Sequence, residues 1–134
     1  MRLISSAPTV SVAECIAWVR RNADVLAYTH WVGGNPWDKA KKDGDIYGWA
    51  AWTPTRCTLS LRNSSDKEKT LSTTLRQVLD IPAEVTGAIV LRSSFADQRE
   101  LSGIMDKAVD IDTPINFTLK PLEVIVMEGA PAKP

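Results

Sequence analysis

Arg56-Cys57-Thr58-Leu59-Ser60-Leu61-Arg62-Asn63 places an apolar residue at every second position. Cys57, Leu59 and Leu61 share one face, and Thr58, Ser60 and Arg62 share the other. That alternation is the mark of a strand with one side buried. Asn63-Ser64-Ser65-Asp66-Lys67 then supplies turn-forming residues, and Leu71, Thr73 and Leu75 alternate again within 69–75. The two runs read as a β-hairpin.

Toward the C-terminus the same period continues. Residues 76–81 read as one helical turn closed by Pro82, and 87–94 and 109–111 as two short strands. Ile115, Phe117 and Leu119 alternate up to Lys120-Pro121. Residues 122–128 are nearly all apolar, as in a strand buried on both faces. The Pro- and Ala-rich tail 129–134 is expected to fray. Toward the N-terminus, 46–52 is rich in Tyr and Trp, and Gly48 marks a bulge or a close backbone approach. Asp38 to Asp45 is a charged surface turn, and Tyr28 to Trp37 an aromatic loop broken by Gly33-Gly34 and Pro36.

Before residue 28 the period is helical. Ser11-Val12-Ala13-Glu14 is a capping box, and Val12, Cys15, Ile16, Val19, Ala23 and Leu26 then recur with helical spacing. Ala13, Ala17 and Trp18 widen this apolar side beyond the single stripe that a helix on one sheet requires. Residues 11–27 are therefore expected to pack through part of that surface, leaving the rest exposed or used in self-association. The fold class is mainly β: an antiparallel β-sandwich with one N-terminal α-helix. The division is an entry segment and helix over 1–27, a linker loop over 28–45, the sandwich over 46–128 and the tail over 129–134. Leu59, Leu61, Leu71, Ile89, Leu91, Phe117, Leu119, Val124 and Val126 are the expected core.

A chain of 134 residues suits one domain with one core. Sixteen basic residues balance sixteen acidic ones, so no net field recruits nucleic acid or an anionic membrane. No stretch is long enough to cross a bilayer. Met1 to Ser6 lacks the apolar run of a signal peptide, which fits either a cytoplasmic protein or an internal piece of a periplasmic or secreted parent. Cys15 and Cys57 could pair, but the simpler reading is two buried free thiols. His30 is the sole histidine and has no metal-ligand spacing around it, so neither a metal site nor a cofactor is expected. Asp38, Asp43 and Asp45 lack the EF-hand spacing.

No nucleophile elbow, phosphate loop or dinucleotide fingerprint occurs. Carboxylates are plentiful but fall in turns or on polar strand faces, so no catalytic pair is assigned. Four of the five Trp lie between residues 31 and 52. Trp31, Trp37, Trp49 and Trp52, with His30, are the candidate sugar contacts. The alternatives are a packed histidine bonded to a backbone carbonyl, and tryptophans that join helix to sheet.

Three stretches carry a family resemblance. Asn22-Ala23-Asp24-Val25-Leu26 followed by Thr29-His30-Trp31-Val32-Gly33-Gly34 is the first. Tyr47-Gly48-Trp49-Ala50-Ala51-Trp52, with Leu59-Ser60-Leu61-Arg62-Asn63 and Ser65-Asp66-Lys67, is the second. Leu119-Lys120-Pro121-Leu122-Glu123-Val124 is the third. Together, over residues 12–128, they resemble the C-terminal part of bacterial α-galactosidase-like glycoside hydrolases, some of which carry an "enterotoxin" label. One departure is Ser64, where the family pattern has Pro. The resemblance implies that residues 11–27 correspond to the last helix of a catalytic (β/α)₈ barrel and that the chain beyond residue 45 corresponds to a terminal sandwich. No barrel is present, so no catalytic residue carries over. The implied role is a non-catalytic accessory domain partnered by a barrel. The competing roles are a carbohydrate-binding module and a stand-alone interaction domain.

Overall fold

The computed structural model describes residues 11–33 and 46–133. The entry segment, Trp37 and the charged turn at 38–45 lie outside the described residues.

Helix α1 spans Val12–Arg21, and the Ser11 hydroxyl accepts from the Glu14 amide at 3.1 Å, as the capping box requires. Arg20 and Arg21 occupy its last turn, where the helix dipole favours cations. The helix then breaks at Asn22, and α2 is the single turn Ala23–Leu26. Sequence periodicity anticipates one continuous helix here. The break arises because Asn22 is buried and its amide is already used: it donates to the Trp18 carbonyl at 3.0 Å and to Glu128 at 3.2 Å.

His30–Gly33 is strand β1, not loop. Gly33, at φ 89°, ends the strand; a Cβ there would lie 2.3 Å from the Ile46 carbonyl oxygen. The glycine that reads as a loop marker is therefore the place where two backbones touch. Strand β2 (Ile46–Thr53) and β3 (Arg56–Asn63) form the actual hairpin, joined at Pro54 and Thr55, with Trp52 opposite Cys57. Gly48 is the close approach anticipated: a Cβ there would meet the Ser60 carbonyl at 1.7 Å.

Strand β4 (Lys69–Thr73) does not pair with β3, which overturns the expected hairpin. It crosses to the facing layer and pairs with β7 (Ile115–Leu119), placing Leu71 opposite Phe117. Buried Asn63 directs this departure. Its amide donates to the carbonyls of Lys67 (2.7 Å), Lys120 (3.1 Å) and Leu119 (3.3 Å), while its oxygen accepts from the Ser65 amide (2.9 Å). Helix α3 (Leu75–Leu79) follows, capped at its start by Thr74 and at its end by Asp80 in the left-handed region.

Strands β5 (Ala88–Ser93) and β6 (Ala108–Asp110) lead to β8 (Val124–Pro131), which inserts between β3 and β5. The large sheet is antiparallel, six-stranded and ordered β1-β2-β3-β8-β5-β6, with β4-β7 facing it. The expected β-sandwich is thus the observed one. Between the layers lie Leu59, Leu61, Leu75, Leu79, Leu91, Phe117, Leu119, Ile125 and Met127, each essentially fully buried. Leu101, Ile104 and Met105, from the 94–107 connection, join this core.

Two expectations fail at β8, and one each at Leu71 and Cys15. Residues 129–131 are paired strand and not a frayed tail, because β5 supplies them with ladder partners. Strand β8 buries one face, not two: Ile125 and Met127 point inward, Val124 is exposed and Val126 half-buried. Leu71 is also only half-buried, at the margin of the core. Cys57 is buried, but Cys15 is exposed, and both are free thiols.

Two outcomes follow from this packing. Leu61→Ala should cost about 2–5 kcal/mol in urea unfolding, whereas Val124→Ala should stay within about 0.5 kcal/mol. Burial pushes the Cys57 thiol up to about 12, against the weaker opposing pull of its Gly129 backbone hydrogen bond. A chromogenic disulfide reagent at pH 8 should therefore titrate Cys15 alone in the native protein and both thiols in denaturant.

Candidate functional site

The outer face of the large sheet carries two features that alternation along the strands brings together. Trp31, Tyr47 and Trp49 are the outward residues of β1 and β2, with Trp31 directly opposite Trp49. The Trp31 and Tyr47 rings stack at 5.1 Å and 10° between planes, and Trp31 meets Trp49 edge-on at 5.0 Å. Trp49 remains 51% exposed. Such offset-stacked and T-shaped contacts fix ring orientations beyond what area burial alone would do.

The second feature is the helical segment, which lies on the same outer face. Trp18 Nε1 donates to the Ser94 hydroxyl at 2.9 Å, and Arg21 pairs with Glu128 at 3.3 Å. Asn22 accepts from Arg56, which also meets Asp24 at 3.0 Å. From α2, Val25 is fully buried. No residue of α1 itself is buried: Val12 is 76% exposed, Ile16 46% and Val19 49%. The helical segment is thus held by polar bonds, by buried Val25 and by half-buried Trp18 and Leu26, with Val12, Ile16 and Val19 left exposed.

Only part of the expected sugar-contact set assembles. Trp31 and Trp49 come together, joined by Tyr47, which the sequence reading passed over; it sits two residues before Trp49 on the same strand face. Trp52 faces the other way and packs against the core. Trp37 is outside the described residues. His30 is inward, and its Nε2–H donates to the Val78 carbonyl at 3.1 Å, the packed arrangement weighed above.

A cleft of about 630 Å³ opens beside the helix, lined among others by Arg56, Arg92, Glu128 and Lys133. Two of these charges are tied to the helical segment, since Arg56 meets Asp24 and Glu128 meets Arg21. Among the described residues no group of three or more His, Cys, Asp or Glu could hold a metal ion.

The carboxylates that depart from ordinary behaviour do so as structural partners. Burial acts to raise Glu123, but the Arg99 guanidinium at 2.6 Å, the Lys120 amide and the neighbouring cations outweigh it and hold the carboxyl below its ordinary range. Arg76 likewise holds Asp112 down through a 2.7 Å bond. A general acid needs the opposite shift. Because the Glu123 carboxyl is lowered in the folded state, its contribution is complete above the ordinary value of 4.5 and is lost as pH falls through the folded value. Glu123→Gln should therefore lower stability at neutral pH and flatten the acid limb of the stability–pH curve, as read by urea midpoints from pH 6 downward.

No family model and no curated protein matches this sequence. Solved structures do match in shape. A chain from Bacillus halodurans described as an α-N-acetylgalactosaminidase aligns at TM-score 0.50 and 17% identity, covering 69% of this chain and 20% of that one. A β-L-arabinopyranosidase from Geobacillus stearothermophilus aligns at TM-score 0.48 and 18% identity, with 69% and 19% covered. A trehalose-6-phosphate hydrolase from Bacillus licheniformis aligns at TM-score 0.49 and 17% identity, with 84% and 16% covered. The names of these neighbours lend the toxin label no support. What the Bacillus halodurans chain shares with this one is a fold, over 20% of its own length.

Proposed function

We propose that this chain is a non-catalytic accessory sandwich of a glycoside hydrolase, and that α1 and the neighbouring outer face seat a catalytic barrel. The observation that carries this reading is the posture of α1. Its polar residues bind the sheet, while Val12, Ile16 and Val19 point away from it. Each of those aliphatic side chains would contribute about 1 kcal/mol if the exposed part were covered. An exposed apolar patch commonly marks an interface, and the aliphatic side of α1 offers one to a second body. The glycosidase identity of that body is supported by the fold match to part of the Bacillus halodurans chain and by the resemblance of the sequence stretches quoted above.

The test has two arms. The chain alone should release no nitrophenol from nitrophenyl galactosides above buffer; turnover abolished by mutating a single Asp or Glu would overturn the reading. The Bacillus halodurans chain, stripped of its own matching fifth, should bind this chain in trans by sedimentation. The Val12→Ser, Ile16→Ser, Val19→Ser triple variant should fold with an unchanged urea midpoint, within about 0.5 kcal/mol, and lose that binding. A chain that instead forms a dimer abolished by the same variant uses the helix for self-association, not for a barrel.

A further inference from the structure

Glu128, on the outer face of β8, has one arginine bound to it and a second within reach. Arg21 of α1 holds it now, while Arg92 of β5 stands directly opposite it in the sheet. We infer that α1 is a hinged arm that leaves the sheet while the sandwich stays folded, with Arg92 taking over Glu128 as Arg21 departs. The inference concerns the helix that carries the proposed seat, but not its occupant. It is decided on this chain alone, so its failure and that of the accessory role are separate results.

The arm is weakly held. No residue of α1 is buried, and its ties are the Trp18 indole N–H on the Ser94 hydroxyl and Arg21 on Glu128 and on the Ser94 carbonyl. The Arg21 and Glu128 side chains are 46% and 31% exposed, so water and salt screen their attraction. Ten residues also fall short of the roughly 12–15 that an isolated helix needs in water. Undocking and melting of α1 are therefore one event.

Opening stops at Asn22. That residue is buried, its oxygen accepts from Arg56, and Val25 just beyond it is fully buried. The helix already breaks there, so the chain needs no new bend to swing. Local opening of this kind requires only that the segment's own contacts be fewer than those of the body it leaves.

The second arginine gives the open form a partner. Residues directly opposite in an antiparallel pair point to the same face with Cβ atoms about 4.5–5.5 Å apart, and Arg92 and Glu128 line one cleft. Arg92 is exposed and makes no side-chain hydrogen bond or ion pair among the described residues. Two guanidinium groups thus compete for one carboxylate. A Glu128 abandoned by Arg21 would face the cleft uncompensated, and Arg92 removes that penalty. Its effect on the arm is accordingly opposite in sign to that of Glu128: Glu128 closes the arm and Arg92 favours its opening.

Hydrogen exchange of the full chain, resolved by residue in NMR spectra, tests both halves. Corrected for intrinsic rates, the amides of 15–22 should exchange at least about tenfold faster than those of Leu59 and Leu61 in doubly paired β3. Glu128→Gln, and separately Arg21→Gln on the exposed helix, should speed α1 exchange about twofold to fivefold and leave Leu59 and Leu61 unchanged. Raising ionic strength from about 0.01 to about 1 M, which shortens the screening length from about 30 to about 3 Å, should do the same to the native chain. Arg92→Gln should slow α1 exchange about twofold. The arm is overturned if the amides of 15–22 are as protected as those of Leu59 and Leu61, or if neither Glu128→Gln nor Arg21→Gln speeds them. The exchange of partners is overturned if Arg92→Gln leaves α1 exchange unchanged or makes it faster.

Discussion

Strand β3 is paired along both edges, and the sandwich depends on that. On one side β2 matches it residue for residue; on the other β8 runs from opposite Cys57 to opposite Arg62. With no free edge, β3 holds Cys57, Leu59 and Leu61 rigidly toward the facing layer, where they meet Phe117 and Leu119. Gly48 belongs to the same constraint, because any larger residue would push β2 away from Ser60. At the end of β3 Asn63 takes over. Four hydrogen bonds from one buried amide side chain bind the β3–β4 turn to the β7–β8 turn and so join the two sheets at one corner. An amide buried without those partners would cost about 1–3 kcal/mol per unmet group, so the corner is either made completely or not at all.

Most strands were legible because period two is a local signal. Leu59, Leu61, Ile89, Leu91, Phe117 and Leu119 all show their burial in their immediate neighbours. Pairing was not legible in the same way. The turn residues after Asn63 look like a hairpin connection, yet the side chain of Asn63 spends its capacity on residues near 120, which no local window contains. The real hairpin turns at Pro54 and Thr55, a short break between the runs 46–52 and 56–63 that lacks the Asn-Gly or Asp-Gly mark of a tight hairpin. Val124 and Val126 misled for a related reason: an apolar run hides its own alternation, and which face is inward is set by the partners β3 and β5.

The candidate surfaces show the same split. Clustering of tryptophan around residues 31–52 was visible, but its division into outward Trp31 and Trp49 and inward Trp52 depends on strand register. Helix α1 was the reverse case. Its apolar girth was plain in the sequence, and the polar bonds of Trp18, Arg21 and Asn22 explain why that girth could stay uncovered while the helix remained in place.

The strand order has a consequence for biosynthesis. Strands β1, β2 and β3 are consecutive among the described strands and can zip as soon as they leave the ribosome, but the partner for the other edge of β3 is β8, the last of the described strands. At a translation rate of about 5–20 residues per second, the interval between Asn63 and Pro131 leaves that edge open for roughly 3–14 seconds. During this time Cys57, Leu59 and Leu61 face water beside a row of unpaired amides, the arrangement most prone to capture by another nascent chain. Expression yield should therefore respond to translation speed through 64–131 and to holdase chaperones more strongly than the thermodynamic stability of the finished sandwich would suggest.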